Sequence, residues 1–102
     1  MALVKVAEVN QVPPGTGKVV SAGEKVLALF NLNGTFYALD NRCTHMGGPL
    51  GEGQVEGNVV ICPWHGSRFD ITTGHIVKGP ARQPVISYSI QVQSGAVYVD
   101  LS

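Results

Sequence analysis

Two short mixed motifs, Cys43-Thr44-His45 and Cys62-Pro63-Trp64-His65, decide how this chain folds and what it can bind. Between them they contain both cysteines and two of the three histidines, and sixteen residues separate the first motif from the second. Thiolate and imidazole are the ligands that hold zinc or iron-sulfur clusters, and two Cys/His pairs can supply four ligands. The spacing therefore predicts a metal site built from two loops. The candidate ligands are Cys43, His45, Cys62 and His65.

The chain around these motifs has the pattern of short strands separated by turns. Asn33-Gly34, Gly57-Asn58 and Ser94-Gly95 are typical of tight hairpin turns between apolar, branched segments. No amphipathic helix of ordinary length is indicated, so we expect an all-β domain of stacked antiparallel sheets. The predicted strands cover residues 3–9, 18–20, 25–32, 35–39, 54–56, 59–61, 67–71, 85–93 and 96–101.

The length of 102 residues predicts a single domain, residues 1–102. Residues 41–82 contain both motifs and are richer in glycine than their flanks. We expect this segment to form a small metal-binding part that rests on a base made by residues 1–40 and 83–102.

Charge and hydropathy exclude several classes of partner. Seven Lys and Arg residues balance seven Asp and Glu residues, with no basic run, which argues against nucleic acid and anionic membrane surfaces. The longest wholly apolar run, residues 26–30, is too short for a membrane helix, and the first residues lack the pattern of a secretory signal. We therefore expect a soluble, cytoplasmic protein, in which Cys43 and Cys62 are metal ligands rather than a disulfide.

The distribution of ligand types within the two loops discriminates between metals. A zinc finger usually pairs like ligands, two Cys from one turn and two His from another. Here each loop carries one Cys and one His, which is the arrangement of a Rieske-type [2Fe-2S] centre. A structural zinc site stays open as an alternative.

The chain resembles the Rieske family over most of its length. Gly66 after the second motif, Phe69-Asp70, Thr73-Gly74 and Gly79-Pro80-Ala81 match the pattern usual downstream of the Rieske loops. The resemblance implies a Rieske-like fold with one [2Fe-2S] cluster per chain and a small cluster-binding subdomain. It also implies that the two Cys bind the inner iron and the two His bind the outer iron near the surface.

The ligand set that the resemblance implies sets the range of the reduction potential. Two thiolates and two neutral imidazoles leave the oxidised cluster uncharged, whereas four thiolates leave a charge of about −2, so a Rieske centre is easier to reduce. Its potential lies between about −150 and +300 mV, against roughly −400 mV for plant-type clusters.

Four positions that differ from or match respiratory Rieske proteins indicate where in this range the reduction potential lies. Gly48 and Trp64 stand where those proteins have two further cysteines that form a disulfide. Ser67 keeps their serine hydroxyl near the cluster, but Phe69 lacks the hydroxyl of their tyrosine. We therefore predict a low-potential centre, raised slightly by Ser67.

The resemblance is strongest to the soluble ferredoxins of bacterial ring-hydroxylating dioxygenase systems, which act in aromatic hydrocarbon catabolism. It implies an electron carrier without catalytic residues, whose partners are a flavin-dependent ferredoxin reductase and a terminal oxygenase. Two alternatives remain at this point: the small subunit of an assimilatory nitrite reductase and a zinc-stabilised binding module.

Several residues near the motifs have simpler interpretations. His75 lies in a turn without a cysteine neighbour, so we expect a surface histidine rather than a further ligand. Trp64 fits either a core position or a docking face. The remaining apolar loop residues are expected to pack around the site; they are Met46, Pro49, Leu50 and Pro80.

Overall fold

The computed structural model describes residues 3–101. Met1, Ala2 and Ser102 lie outside the described residues, and so do the predicted domain limits at residues 1 and 102. Residues 3–101 form ten strands and two 3-10 helices, Val9–Gln11 and Leu50–Glu52, so the expected all-β class is confirmed. The strands are β1 (Leu3–Glu8), β2 (Thr16–Ala22), β3 (Lys25–Leu32), β4 (Thr35–Asp40), β5 (Gln54–Glu56), β6 (Val59–Ile61), β7 (Arg68–Asp70), β8 (Ile76–Lys78), β9 (Ser87–Gln93) and β10 (Ala96–Asp100).

The strands form two antiparallel sheets. The larger has the order β1-β10-β9-β4-β3-β2, and the smaller has the order β5-β6-β7-β8. The larger sheet draws its strands from both ends of the chain, and the smaller one lies between the two motifs and just beyond them. We propose that the division into a base and a metal-binding part follows these two sheets.

Strand β3 joins the two hydrophobic cores of the domain. Successive side chains of a strand point to opposite faces, and here both faces are covered. Leu27 and Leu29 pack in the core of the base, whereas Ala28 and Phe30 pack in a second core that also contains the two cysteines. Burial on both sides of the strand thus explains the apolar residues 27–30, whereas Val26, at the start of the run, is exposed.

The Asn33-Gly34 turn was correctly predicted, and its geometry shows why these residues occur there. Asn33 has φ 56° and Gly34 has φ 95°, the left-handed conformations that a tight hairpin turn requires. Asn31 stabilises the turn with its side-chain oxygen, which accepts from the Gly34 N–H (2.7 Å), while its amide donates to the Val12 carbonyl oxygen (2.8 Å).

Predicted strands agree with observed ones in position but differ in some of their bounds, most clearly at β2, which is observed at Thr16–Ala22 where only residues 18–20 were predicted. The strand expected at 67–71 is shorter, Arg68–Asp70, and the one expected at 85–93 begins at Ser87, because the Val85 N–H bonds to the Gly74 carbonyl oxygen outside the sheet. Strand β8 was not predicted at all. It has only three residues and pairs with β7 through a register shift. No helix within residues 3–101 has the length and apolar character needed to cross a membrane.

Candidate metal centre

The first motif lies in a closed loop, residues 43–49, between β4 and the second 3-10 helix. The Cys43 N–H donates to the Gly48 carbonyl oxygen (2.9 Å), and the Gly47 N–H donates back to the Cys43 carbonyl oxygen (2.8 Å). An isolated bridge between Arg42 and Pro49 closes the base of the loop. This turn buries the Cys43 side chain, which is 1% exposed, and leaves His45 exposed.

The second motif forms the tip of the β6–β7 hairpin, residues 62–67. The Cys62 N–H donates to the Ser67 carbonyl oxygen (2.8 Å), which continues the pairing of the two strands. His65 and Gly66 both have left-handed backbone conformations, with φ 70° and 78°. Because histidine adopts this conformation more readily than most residues, the chain reverses here with His65 exposed and Cys62 only 2% exposed.

The two loops bring all four sequence-predicted residues to one end of the domain. The imidazole rings of His45 and His65 have centroids 5.1 Å apart and are nearly perpendicular, at 87°. Cys43 and Cys62 are buried free thiols beneath them. The arrangement is therefore an inner pair of sulfurs and an outer, solvent-facing pair of imidazoles.

The environment of Cys62 opposes ionisation of its thiol. Burial is the main cause that raises the pKa of Cys62, and the hydrogen bond and electrostatic interaction with Cys43 raise it further, while the backbone N–H of Trp64 has the opposite effect. A thiol must lose its proton to become a metal ligand, so metal binding at Cys62 would release a proton.

A third loop, residues 79–85, connects the first two. Thr44 donates from its hydroxyl to the Gln83 carbonyl oxygen (2.6 Å), and the Ala81 N–H donates to the hydroxyl oxygen of Ser67 (2.9 Å). Ser67 is fully buried. Sequence reasoning singled out Ser67 but missed Thr44 and Gln83, because residues 39 positions apart give no local signal.

The crowding at Gly48 is a second feature that the sequence did not show. A Cβ atom at this position would lie 2.7 Å from the Cys62 Sγ and 3.0 Å from the Trp64 Cγ. Carbon atoms in contact are ordinarily about 3.5–4.0 Å apart. Only glycine therefore lets the first loop approach the Cys62 sulfur this closely.

Some of the residues around the four Cys and His side chains are buried, and others are exposed to solvent. Leu50 is buried, as expected of a packing residue, but Met46 is 60% exposed and Trp64 is 49% exposed. Both line an open cleft beside the site.

His75 is exposed in the turn before β8, which confirms that it is a surface histidine.

The residues present fit a [2Fe-2S] cluster. Among residues 3–101, no three His, Cys, Asp or Glu side chains converge on a point where they could hold one metal ion. A Rieske cluster needs only two protein ligands per iron, and the buried sulfur pair and exposed imidazole pair provide that division. Ser67 adds a buried hydroxyl whose oxygen already accepts a hydrogen bond, so its own proton is available to a group bound between the loops.

Comparisons with known proteins agree with this interpretation. The family model described as Rieske [2Fe-2S] domain matches residues 2–89. The chain is 36% identical to the naphthalene 1,2-dioxygenase system ferredoxin component of Pseudomonas aeruginosa, over 90% of this chain and 88% of that protein. It is also 36% identical to the biphenyl dioxygenase ferredoxin subunit of Pseudomonas sp. strain KKS102, over 100% of this chain and 94% of that protein.

A solved structure shows the same fold. It is a complex of reduced oxygenase and oxidized ferredoxin in carbazole 1,9a-dioxygenase, and the similar chain in it has a TM-score of 0.89 and 35% identity. The alignment covers 95% of this chain and 91% of that one. The family model spans most of the chain and these relatives align over nearly all of it, so the chain belongs to the Rieske [2Fe-2S] domain family.

Proposed function

We propose that this protein is the one-electron carrier of a bacterial ring-hydroxylating dioxygenase system, with one [2Fe-2S] cluster held by Cys43, His45, Cys62 and His65. The observation that carries this proposal is the pair of buried thiols beneath two exposed imidazoles 5.1 Å apart. Relatives that align over nearly the whole chain are named ferredoxin components of such systems.

The two cysteines and the two histidines have different roles in the proposed site. Cys43 and Cys62 would hold the inner iron as thiolates, and His45 and His65 would hold the outer iron through ring nitrogens. When bound, the cluster would supply reversible one-electron chemistry in the potential range of Rieske centres. The two histidines lie at the surface, so a partner protein can approach the outer end of the site without any rearrangement of the fold.

The proposed partners are a flavin-dependent ferredoxin reductase, which donates the electron, and a terminal oxygenase, which accepts it. The oxygenase is supported by the similar ferredoxin that was solved together with an oxygenase. We also infer a cytoplasmic location, because both cysteines are free thiols and must stay reduced to bind metal.

The surface next to the site favours a docking contact with an apolar centre. Met46 and Trp64 are exposed there, and the adjoining cleft contains two acidic and two basic residues. The four charged residues are Glu24, Lys25, Asp40 and Arg42.

Association with the oxygenase should therefore depend weakly on salt. Balanced charges give little long-range attraction between the partners. Raising the ionic strength from about 0.1 to 1 M shortens the screening length from about 10 to 3 Å, but there is little attraction for it to weaken. Stopped-flow measurements of the association rate should change by less than about tenfold, against 10- to 10³-fold for strongly steered pairs. A steeper decrease would show that charge, not the apolar centre, directs docking.

The proposed function itself is tested by an anaerobic electron-transfer assay. Protein purified with its iron and sulfide is titrated with dithionite, and we expect one electron per chain. The reduced protein is then mixed with an oxidised ring-hydroxylating oxygenase and, separately, with the large subunit of an assimilatory nitrite reductase. Rapid reoxidation by the oxygenase supports the proposal, and reoxidation by the nitrite reductase alone refutes it.

The Ser67 hydroxyl should raise the midpoint potential. A hydrogen bond donated to the cluster stabilises its reduced, more negative state by about 1 kcal/mol, equivalent to roughly 40 mV for one electron. Redox titration of Ser67→Ala should therefore give a midpoint lower by about this amount. Ser89→Ala, which removes an exposed hydroxyl on β9, is the matched control and should leave the midpoint unchanged.

A hydroxyl at position 69 should also raise the potential. Phe69 is fully buried in the core that contains both cysteines, so the hydroxyl of Phe69→Tyr enters the same low-dielectric surroundings. We expect the midpoint potential to rise by roughly 40 mV, the effect of one additional hydrogen bond of about 1 kcal/mol. If neither the Ser67 nor the Phe69 variant moves the midpoint, hydrogen bonding does not tune this centre.

A further inference from the structure

We infer that Trp64 is a positioning residue, which fixes the second loop against the first through a packing contact with Gly48 and thereby sets the place of the Cys62 sulfur. This inference rests on the proposed cluster site. This role is separate from the docking contact proposed above, and a core residue would not have it.

Within residues 3–101, no backbone hydrogen bond joins the first Cys/His loop directly to the second. Each loop closes on itself, the first through Cys43 and Gly48 and the second through Cys62 and Ser67. Interactions other than backbone hydrogen bonds must therefore hold the two loops together.

Two such interactions lie at different places around the site. The third loop connects the first two indirectly, through the Thr44 hydroxyl to Gln83 and through the Ala81 N–H to Ser67. At Gly48, the loops meet directly. The position that a Cβ of Gly48 would take lies 3.0 Å from the Trp64 Cγ and 3.1 Å from its Cβ, so the base of the indole side chain packs on the glycine backbone.

The Trp64 side chain and the Cys62 sulfur both lie close to the same point beside Gly48. The same Cys62 Sγ lies 2.7 Å from the position that a Cβ of Gly48 would take, so Gly48, Trp64 and Cys62 form one contact group. Cys62 and Trp64 are two positions apart in the same loop, so a shift of Trp64 away from Gly48 would also change the place of the Cys62 sulfur relative to the first loop.

The exposure of Trp64 and the atoms that it uses separate the positioning role from a core role and from a docking role. About half of the side chain faces solvent, so it is not a core residue, and the atoms that pack on Gly48 are those at the base of the ring. Phenylalanine retains both of these atoms, whereas alanine retains only Cβ. The outer indole ring, which a docking role would use, is lost in both substitutions.

The test compares three variants purified with their iron and sulfide: Trp64→Ala, Trp64→Phe and Met46→Ala. Met46→Ala is the control, because it removes an equally exposed apolar side chain from the first loop. Cluster release is followed by the loss of visible absorbance after a chelator is added, and the width of the EPR signal of the reduced protein reports the uniformity of the ligand geometry. Far-UV circular dichroism verifies that the sheets are intact.

We expect Trp64→Ala to release the cluster about tenfold faster, the scale of outer-shell substitutions at metal sites, with a broadened EPR signal. Trp64→Phe and Met46→Ala should match the unsubstituted protein in the rate of cluster release and in the width of the EPR signal. A Trp64→Ala protein that folds but takes up no cluster, while Trp64→Phe does, supports the inference equally. Release from Trp64→Ala at the original rate, or equal acceleration in Trp64→Phe, overturns it. If the unsubstituted protein contains no iron and sulfide, the proposed function fails instead.

Discussion

Cys43→Ala and His65→Ala should each yield colourless protein without iron or sulfide. Cys43 is a buried thiol and His65 an exposed imidazole, and the proposal gives each of them one coordination position on a different iron. Substitutions outside the ligand shell already weaken metal binding about 10- to 100-fold, so loss of a ligand should exceed that. Iron and sulfide analysis with visible absorption spectroscopy measures the outcome.

His75→Ala is the matched control for these variants. His75 is the third histidine of the chain and lies in an exposed turn, where its backbone N–H bonds to the Thr73 hydroxyl. It should retain a full cluster. Hydrogen exchange should show faster exchange in residues 43–49 and 62–67 of the two colourless variants, because glycine-rich loops without metal have few interactions to order them. A coloured His65→Ala protein with full iron content would contradict the ligand assignment.

Gly48→Ala should remove most of the cluster while leaving the sheets folded. The added methyl carbon would lie 2.7 Å from the Cys62 Sγ, well inside contact distance. The sulfur cannot withdraw without leaving the metal, and the Trp64 side chain closes the other direction at 3.0 Å. We expect cluster affinity to fall about tenfold or more, the scale found for residues that position metal ligands.

Gly79→Ala provides the comparison for this variant. It lies in the third loop near the same site, and a Cβ there would meet its nearest neighbours at 3.6 Å, an ordinary contact distance. Iron content and the chelator release rate should stay unchanged in Gly79→Ala and change sharply in Gly48→Ala. Equal behaviour of the two variants would show that the space beside Cys62 is less restricted than the structure indicates.

The sequence allowed most of the strands and the two Cys/His loops to be predicted because their signals are local. The Asn33-Gly34 turn was evident because few residues other than Asn and Gly adopt left-handed conformations. The two motifs were evident because each loop carries its Cys and His within four residues. The β5–β6 hairpin was predicted with its observed bounds for the same reason, since its turn residues lie between two short branched segments.

The features that were missed depend on contacts between distant parts of the chain. Strand β8 has three residues, and only its pairing with β7 makes it a strand. The crowding of Gly48 against Cys62 arises when a loop after β4 meets the tip of the β6–β7 hairpin. The connection from Thr44 to Gln83 likewise depends on the folded position of the third loop. None of these contacts leaves a periodic pattern in the sequence.

Pulsed EPR on the dithionite-reduced protein tests most directly whether one cluster is held by two sulfur and two nitrogen ligands. We predict a reducible [2Fe-2S] signal with hyperfine couplings to two imidazole nitrogens, and a cluster signal that disappears in His45→Ala and His65→Ala. An EPR-silent protein that contains zinc, or a cluster signal without nitrogen couplings, would contradict the account.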